Sequence, residues 1–489
     1  MRLQFDYAFA GVQRVIGILL MIFSTAMLGP AIVGAIYGDG QIPAFVASFA
    51  ITVVAGCIIW WPTRNARREL KIRDGFLVVV FFWFVLSLFG ALPFILVTTP
   101  QISITNAVFE SVSGLTTTGA TVLTELDYMP HAILFWRVLL HWMGGMGVIV
   151  LAIAVLPMLG VGGMQLYRAD TLGPVKTSKL TPRIRETAKM LWYLYVSLTA
   201  ASALLFWLAG LSPFDAISDA FSAIATGGFA NHDQSIGYHD SALVELISIV
   251  AMLLGATSFS MHFAIWRSAN PLDYWRDFET RMLWIMAAGA TALATVVLLA
   301  HGTYTDPGTA IIRALFQVVS IGTTTGFTTT DYSVWPSFLP MFLILGSFVG
   351  GCAGSTTGGM KVVRVVLLAK QGLREIRRLV HPSAMFPVKM GEQVVANRVV
   401  HAVWGFFSVY ITVYVVLFLI LLGFNLDPVT AFSAVAATLN NLGPGLGDIS
   451  STMTSLPALA KWVLCVAMLL GRLQIFTLLV IFTPTFWRH

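Results

Sequence analysis

Gly322-Thr323-Thr324-Thr325-Gly326-Phe327-Thr328-Thr329-Thr330-Asp331-Tyr332 is a polar, glycine-centred turn set among hydrophobic spans, and its surroundings decide the fold. A short apolar run, Ala314 to Ile321, leads into it, and another long hydrophobic span begins near Phe338. The leading run is too short to cross a bilayer, which takes about 20 residues as a helix. It predicts a half-helix that dips in from one face and returns as extended chain.

The pattern occurs four times. Thirteen positions before Gly119, Gly228, Gly326 and Gly443 begin Asn106-Ala107-Val108-Phe109, Asp215-Ala216-Ile217-Ser218, Arg313-Ala314-Leu315-Phe316 and Thr430-Ala431-Phe432-Ser433. Each tetrad has Ala second and an apolar residue third, without gaps. The glycine neighbourhoods match more loosely, ending in Asn440-Asn441-Leu442-Gly443-Pro444. A fixed period has to be explained before any single motif. One of roughly 100 residues, holding two long spans and one short one, is too large for a solenoid repeat and suits a fourfold pseudo-symmetric pore.

Composition agrees. Of 489 residues 57% are hydrophobic and 11% charged, and mean hydropathy is +0.82, far from the roughly 25% charge of soluble domains. The fold class is therefore an all-α polytopic membrane protein. The first span, Gly11 to Tyr37, is longer than the roughly 7–15 residues of a signal-peptide core and reads as a retained helix. Cys57, Cys352 and Cys465 are too few and scattered for a disulfide framework or metal site. The net charge of +6 does not point to nucleic acid, because the basic residues fall in loops between spans and report topology.

Ten spans are expected to cross: 11–37, 41–61, 74–98, 131–160, 188–210, 240–266, 281–301, 337–360, 399–424 and 457–483. They divide into two N-terminal helices (1–72) and four pore repeats (73–165, 166–270, 271–385 and 386–489). Basic clusters follow the even-numbered spans: Arg64, Arg67, Arg68, Lys71 and Arg73; Arg168, Lys176, Lys179, Arg183, Arg185 and Lys189; Arg267, Arg276 and Arg281; and eight residues from Lys361 to Arg398. The positive-inside rule places these loops and both termini in the cytoplasm. The four short segments must then enter and leave by the outer face. That face holds mainly acids, among them Asp127, Asp215, Asp233, Asp331 and Asp427, which is either an orientation bias or a vestibule that concentrates cations.

Irregular backbone at membrane depth is tolerated only when buried or lining a wet cavity, so four such turns imply a shared cavity. Half-helices entering from outside aim their partially negative ends at the membrane centre, favouring a cation. The extended chain after each can offer carbonyls in place of an ion's water, and glycine permits the backbone angles this requires. The candidate ion-binding residues are Thr117, Thr118, Gly119, Gly227, Gly228, Thr324, Thr325, Gly326, Asn441, Leu442 and Gly443.

A second stretch, Gly350-Gly351-Cys352-Ala353-Gly354-Ser355-Thr356-Thr357-Gly358-Gly359-Met360-Lys361, has five glycines in ten residues, which argues against a continuous helix. Gly350, Gly354 and Gly358 are spaced for close helix packing. The clustered Ser355, Thr356 and Thr357 suit instead an unwound, cavity-lining segment. A phosphate-loop reading fails, since Met360 separates Gly359 from Lys361 and no Ser or Thr follows the lysine. Arg472 lies well inside the tenth span, where a charge either faces the bundle interior or snorkels. His141 reads as a hydrogen-bonded packing residue. No HExxH pair or nucleophile–base arrangement supports a membrane enzyme, and sodium- or proton-coupled symport is the rival to a gated pore.

Four membrane–pore–membrane units with one filter glycine each, two extra N-terminal helices and the run His141-Trp142-Met143-Gly144-Gly145-Met146-Gly147 resemble the Trk/Ktr/HKT superfamily of cation transporters. Within it the chain is similar to the bacterial potassium-translocating subunits, over essentially its whole length. The resemblance implies potassium uptake across the inner membrane, with Gly119, Gly228, Gly326 and Gly443 as filter glycines. Gly119 favours potassium, because a serine there marks many sodium-selective plant relatives. It also implies an intramembrane gate at Gly350, Gly351, Gly354, Ser355, Thr356, Thr357, Gly358, Gly359 and Lys361, with Arg472 beneath the filter. A homodimer, a cytosolic nucleotide-binding regulatory ring of the TrkA type, and no organic cofactor in this chain complete the expectation.

Overall fold

The computed structural model describes residues 9–65, 72–150, 184–391 and 393–487. The basic residues Arg67, Arg68, Lys71, Arg168, Lys176, Lys179 and Arg183, and the fourth span beyond 150, lie outside the described residues. Among the described residues the chain is helical, with one antiparallel pair of two-residue strands, Lys389–Met390 and Gln393–Val394. Helices α1 (Ala10–Ala26) and α2 (Leu28–Tyr37) form one long span, and α3 (Ile42–Trp60) returns beside it.

The first repeat is α4 (Ile72–Gly90), the short α5 (Ile104–Leu115) and α6 (His131–Val150). The second is α7 (Ile184–Leu208), α8 (Pro213–Ala225), α9 (Ala242–Ala256) and α10 (Phe259–Ser268). In the third, α11 (Phe278–Ala300) and α12 (Pro307–Gly322) precede α13 (Leu339–Gly346), a non-helical loop and α14 (Val362–Val380). The fourth is α15 (Asn397–Leu422), α16 (Pro428–Leu439), α17 (Ala458–Arg472) and α18 (Phe476–Leu479). Among the described residues seven helices are long and apolar enough to cross a membrane.

Three of the ten expected crossings are not straight. The span at 240–266 bends by 99° between α9 and α10, and that at 457–483 bends by 105° between α17 and α18. The span at 337–360 ends as helix at Gly346. Hydropathy cannot register such breaks, because it sums transfer energies without regard to backbone direction. Carbonyls freed by a break need partners at this depth. Those of Gly255 and Ala256 receive the backbone N–H groups of Thr356 (3.2 Å) and Cys352 (2.8 Å).

Large apolar side chains such as Ile22, Ile36, Val54, Ile58 and Val296 point outward, as they would toward hydrocarbon. The short helices are packed inside, and the buried face of α16 is mostly Ala, Ser and Thr, which allows close approach of neighbouring backbones.

Candidate functional site

Each short helix starts with a side-chain cap. Ser103, Ser212, Asp306 and Asp427 accept backbone N–H bonds from Asn106 (3.2 Å), Asp215 (3.1 Å), Thr309 (2.7 Å) and Thr430 (3.0 Å), meeting donors the helix leaves unpaired. Three caps lie 16 positions before their glycine and Asp306 lies 20 before Gly326. The third helix is thus longer by about one turn than the other three, and it starts at Pro307, about two turns before the apolar run from Ala314.

The inner ends are built alike. Thr117, Thr226, Thr324 and Asn441, each two positions before the glycine, adopt φ of 51°, 51°, 56° and 54°. Their N–H groups bond to the carbonyls of Gly114, Ala223, Ile321 and Thr438, and the next N–H reaches Ser113, Ser222, Ser320 and Ala437. This is the Schellman helix stop, normally made with glycine. Threonine in this region is strained, and such strain persists only where the surroundings over-determine it.

The glycines follow with φ of 80°, 85°, 86° and 100°. A Cβ on Gly119 would overlap the carbonyl of Gly227, one on Gly228 that of Thr325, one on Gly326 that of Leu442, and one on Gly443 that of Thr118. The four close approaches run from repeat to repeat and return to the first, a closed ring of four backbone turns. All four glycines line one cavity of about 470 Å³, together with Arg137, His232, Asp233 and Asp331.

Side chains join the repeats around this ring. Buried Arg137 pairs with Glu110 at 2.7 Å and donates to the Ala230 carbonyl of the second repeat at 3.1 Å. Arg313 of the third repeat pairs with Glu245 of the second at 2.7 Å, and Tyr332 donates to the Gly445 carbonyl of the fourth at 3.0 Å. Asn441 closes the circle, donating to the Thr118 hydroxyl at 2.9 Å. His141 is buried, with Nδ1 3.3 Å from the Ser222 hydroxyl and its ring stacked on Phe229.

At the mouth, His232 bridges two repeats. Its Nδ1 meets Asp127 at 2.5 Å, its Nε2 lies 3.5 Å from Asp215, and its ring stacks on Tyr238. Burial opposes its charged form, but the hydrogen bonds to Asp215 and Asp127 outweigh that and raise its pKa above the usual 6.5. A raised folded-state pKa contributes stability fully below about pH 6.5 and loses it as pH rises through the raised value. We therefore expect the melting temperature of the parent to exceed that of His232→Gln at acid pH, with the gap closing on alkalinisation. A gap independent of pH would refute a charged latch.

The loop from Gly350 to Lys361 hangs directly beneath the ring. The Thr356 hydroxyl lies 3.1 Å from that of Thr226, the Gly358 N–H donates to the Thr324 hydroxyl at 2.8 Å, and the Gly359 N–H donates to the Asn440 carbonyl at 3.1 Å. Two of the strained residues that stop the short helices, Thr226 and Thr324, thus also hold the loop. Within it, Ser355 and Thr357 share a hydrogen bond at 2.9 Å, Thr357 accepts from Gly351 N–H at 3.0 Å, and Lys361 turns back to Thr357 at 3.0 Å. Arg472 is buried and donates from Nη1 to the Thr356 carbonyl at 2.8 Å, so it does not snorkel. Gly350 and Gly354, spaced for helix packing, lie in non-helical chain with φ of 66° and 72°.

The residues expected from the sequence lie in the four turns and the loop, but several that hold these were missed. Thr226 and Asn440 were legible only by aligning the four turns strictly on the glycine. The Arg137–Glu110 pair carries no local signal, because the partners are 27 positions apart on different helices.

A family model described as cation transport protein, TrkH, matches residues 41–488. The chain is 55% identical to the Trk system potassium uptake protein TrkH of Vibrio parahaemolyticus, covering 98% of this chain and 99% of that one. It is 51% identical to the protein of the same name from Escherichia coli, covering 98% and 100%. A crystal structure of the potassium transporter TrkH from Vibrio parahaemolyticus superposes with a TM-score of 0.91 at 52% identity, covering 98% of this chain and 100% of that one. With its closed ring of four glycine turns and matches of this extent, the chain belongs to the TrkH family of cation transport proteins.

Proposed function

We propose that this chain takes up potassium across the bacterial inner membrane through one gated pore, with both termini in the cytoplasm. The observation that carries this reading is the ring: the carbonyls of Gly227, Thr325, Leu442 and Thr118 each stand against the preceding repeat's glycine, and the four glycines line one cavity. Rings of backbone carbonyls replace an ion's hydration shell, and the relatives' names specify potassium. Potassium is the transported ion, held at the filter residues of the four repeats. The loop at Gly350 to Lys361 is the gate, since it sits directly below the ring and is tied to it by hydrogen bonds that movement can exchange for water.

The active unit is a homodimer that works with a cytosolic nucleotide-binding subunit of the TrkA type. Helix α14 supports this partner: it leaves the loop as an amphipathic helix with Leu373, Ile376, Leu379 and Val380 exposed beside Arg377 and Arg378. Exposed apolar residues at this spacing, on a basic surface, suit docking of a protein partner.

The test is a bilayer recording under potassium gradients with and without a proton or sodium gradient. Reversal at the potassium equilibrium potential in every case supports the pore; displacement by either second gradient supports coupled symport. Arg472 gives a separate expectation, because its positive charge lies on the proposed cation route. Arg472→Gln keeps a donor for the Thr356 carbonyl and removes the charge. Removing about 1.4 kcal/mol of repulsion corresponds to a tenfold faster flux. Unchanged or slower flux would take Arg472 off the ion path.

A further inference from the structure

Three consecutive residues at the start of α11 face two parts of the inner assembly, α14 and the loop. The Phe278 ring lies under Lys370 of α14, whose ammonium is 5.0 Å from the ring centre and donates to the Lys389 carbonyl at 2.6 Å. The Glu279 carboxylate accepts the backbone N–H of Ala353, inside the loop, at 2.7 Å. The Thr280 hydroxyl, bonded to Asp277 at 2.8 Å, lies 4.0 Å from the Cys352 sulfur. Glu279 and Ala353 are 5% and 2% exposed.

A buried carboxylate is costly unless hydrogen-bonded, and one that accepts from an amide makes a bond about twice as strong as a neutral pair. The inner end of α11 accounts for an acid by its helix dipole, but not for a side chain directed at the Ala353 amide in another element. Other attachments of the loop come from backbone carbonyls and hydroxyls of the pore helices and α9 above it, and from Arg472 of α17. Glu279 holds it from the side that α14 also touches.

We propose that Glu279 is a positioning residue of the gate, fixing Ala353 in the obstructing arrangement and coupling the loop to α14. This rests on the reading of the loop as the gate. Helix α14 continues the loop and draws on its far end, while Lys370 against Phe278 carries the same displacement to the neighbouring Glu279. A shift of α14 is thus applied to the loop at two points. An element with two arrangements that a remote surface can bias is what a regulatory partner requires.

The experiment uses the full-length chain in proteoliposomes, with Cys57 and Cys465 replaced so that Cys352 reports loop exposure to a cytosolic thiol reagent. Glu279→Asp keeps the charge but falls short by one bond, about 1.5 Å. It should raise basal potassium flux and Cys352 modification about tenfold, equivalent to about 1.4 kcal/mol. Glu279→Gln retains an acceptor oxygen and should stay within about twofold of the parent in both, which separates the hydrogen bond from the charge. The potassium-to-sodium permeability ratio should not move in either variant. Parental flux and modification in Glu279→Asp would overturn the proposal, as would a changed permeability ratio, which would make Glu279 a support of the filter. If a loop-shortened variant conducts faster while Glu279→Asp does not, only this inference falls; if neither does, the gate reading falls with it.

Discussion

Gly326→Ser is expected to lower the potassium-to-sodium permeability ratio by about tenfold or more, the largest change in selectivity from any one substitution considered. Gly326 has φ of 86°, a conformation side chains rarely adopt, and a Cβ there would overlap the Leu442 carbonyl and approach Pro444 Cδ to 2.8 Å. Left-handed backbone costs an L-residue roughly 1–2 kcal/mol before any overlap is counted. Neither the Leu442 carbonyl nor the proline ring can move far, because Leu442 N–H is held by Ala437 at 2.7 Å and Gly443 packs against Gly119 and Thr118 in turn. The strain is relieved by turning a carbonyl out of the ring, and a distortion that removes about 1.4 kcal/mol of preference changes the ratio tenfold. Permeability ratios from reversal potentials in mixed potassium and sodium measure it. A ratio equal to the parent's would show that these carbonyls do not set selectivity.

Shortening the loop by two or three of its glycines should leave the protein assembled and raise potassium flux in the absence of a regulatory subunit by tenfold or more. The loop is held by the bonds from Cys352 and Thr356 to the α9 carbonyls, from Gly358 to Thr324, from Gly359 to Asn440 and from Arg472 to Thr356. Each contributes about 0.5–1.5 kcal/mol net, so losing two or three shifts a closed-to-open equilibrium by roughly one to three powers of ten. The ring of glycine turns above is closed by its own contacts between repeats, so selectivity should persist. Proteoliposome flux with and without the partner, beside size-exclusion profiles, gives the result. A shortened variant that assembles and conducts no faster than the parent would leave these glycines as packing residues.

Much of the architecture was legible because membrane segments obey a strong local rule. A run of apolar residues either reaches across hydrocarbon or it does not, and the short runs before Gly119, Gly228, Gly326 and Gly443 do not. The fixed register of 13 positions then exposed the fourfold repeat, since corresponding residues in equivalent turns face equivalent constraints. The longer third pore helix was recoverable from its cap, Asp306, but only by weighing capping above hydropathy. The breaks in α9–α10 and α17–α18 left weaker marks, Gly255-Ala256-Thr257-Ser258 and Gly471-Arg472-Leu473-Gln474, which are common enough in continuous helices to pass unnoticed.

The sequence by itself determined that this chain is a membrane protein, that four similar segments recur in it, and that glycine is needed at one place in each. These follow from hydrophobic length and backbone sterics, which act over a few residues and so are written locally. Tertiary structure alone decided that Thr117, Thr226, Thr324 and Asn441 take left-handed conformations, that two of these threonines carry the loop, and that Glu110, Arg137 and Glu279 reach across elements to hold it all in place. The reason is physical: in a low-dielectric interior each polar group must find a partner, and that partner is chosen by where the folded backbones meet, not by proximity along the chain.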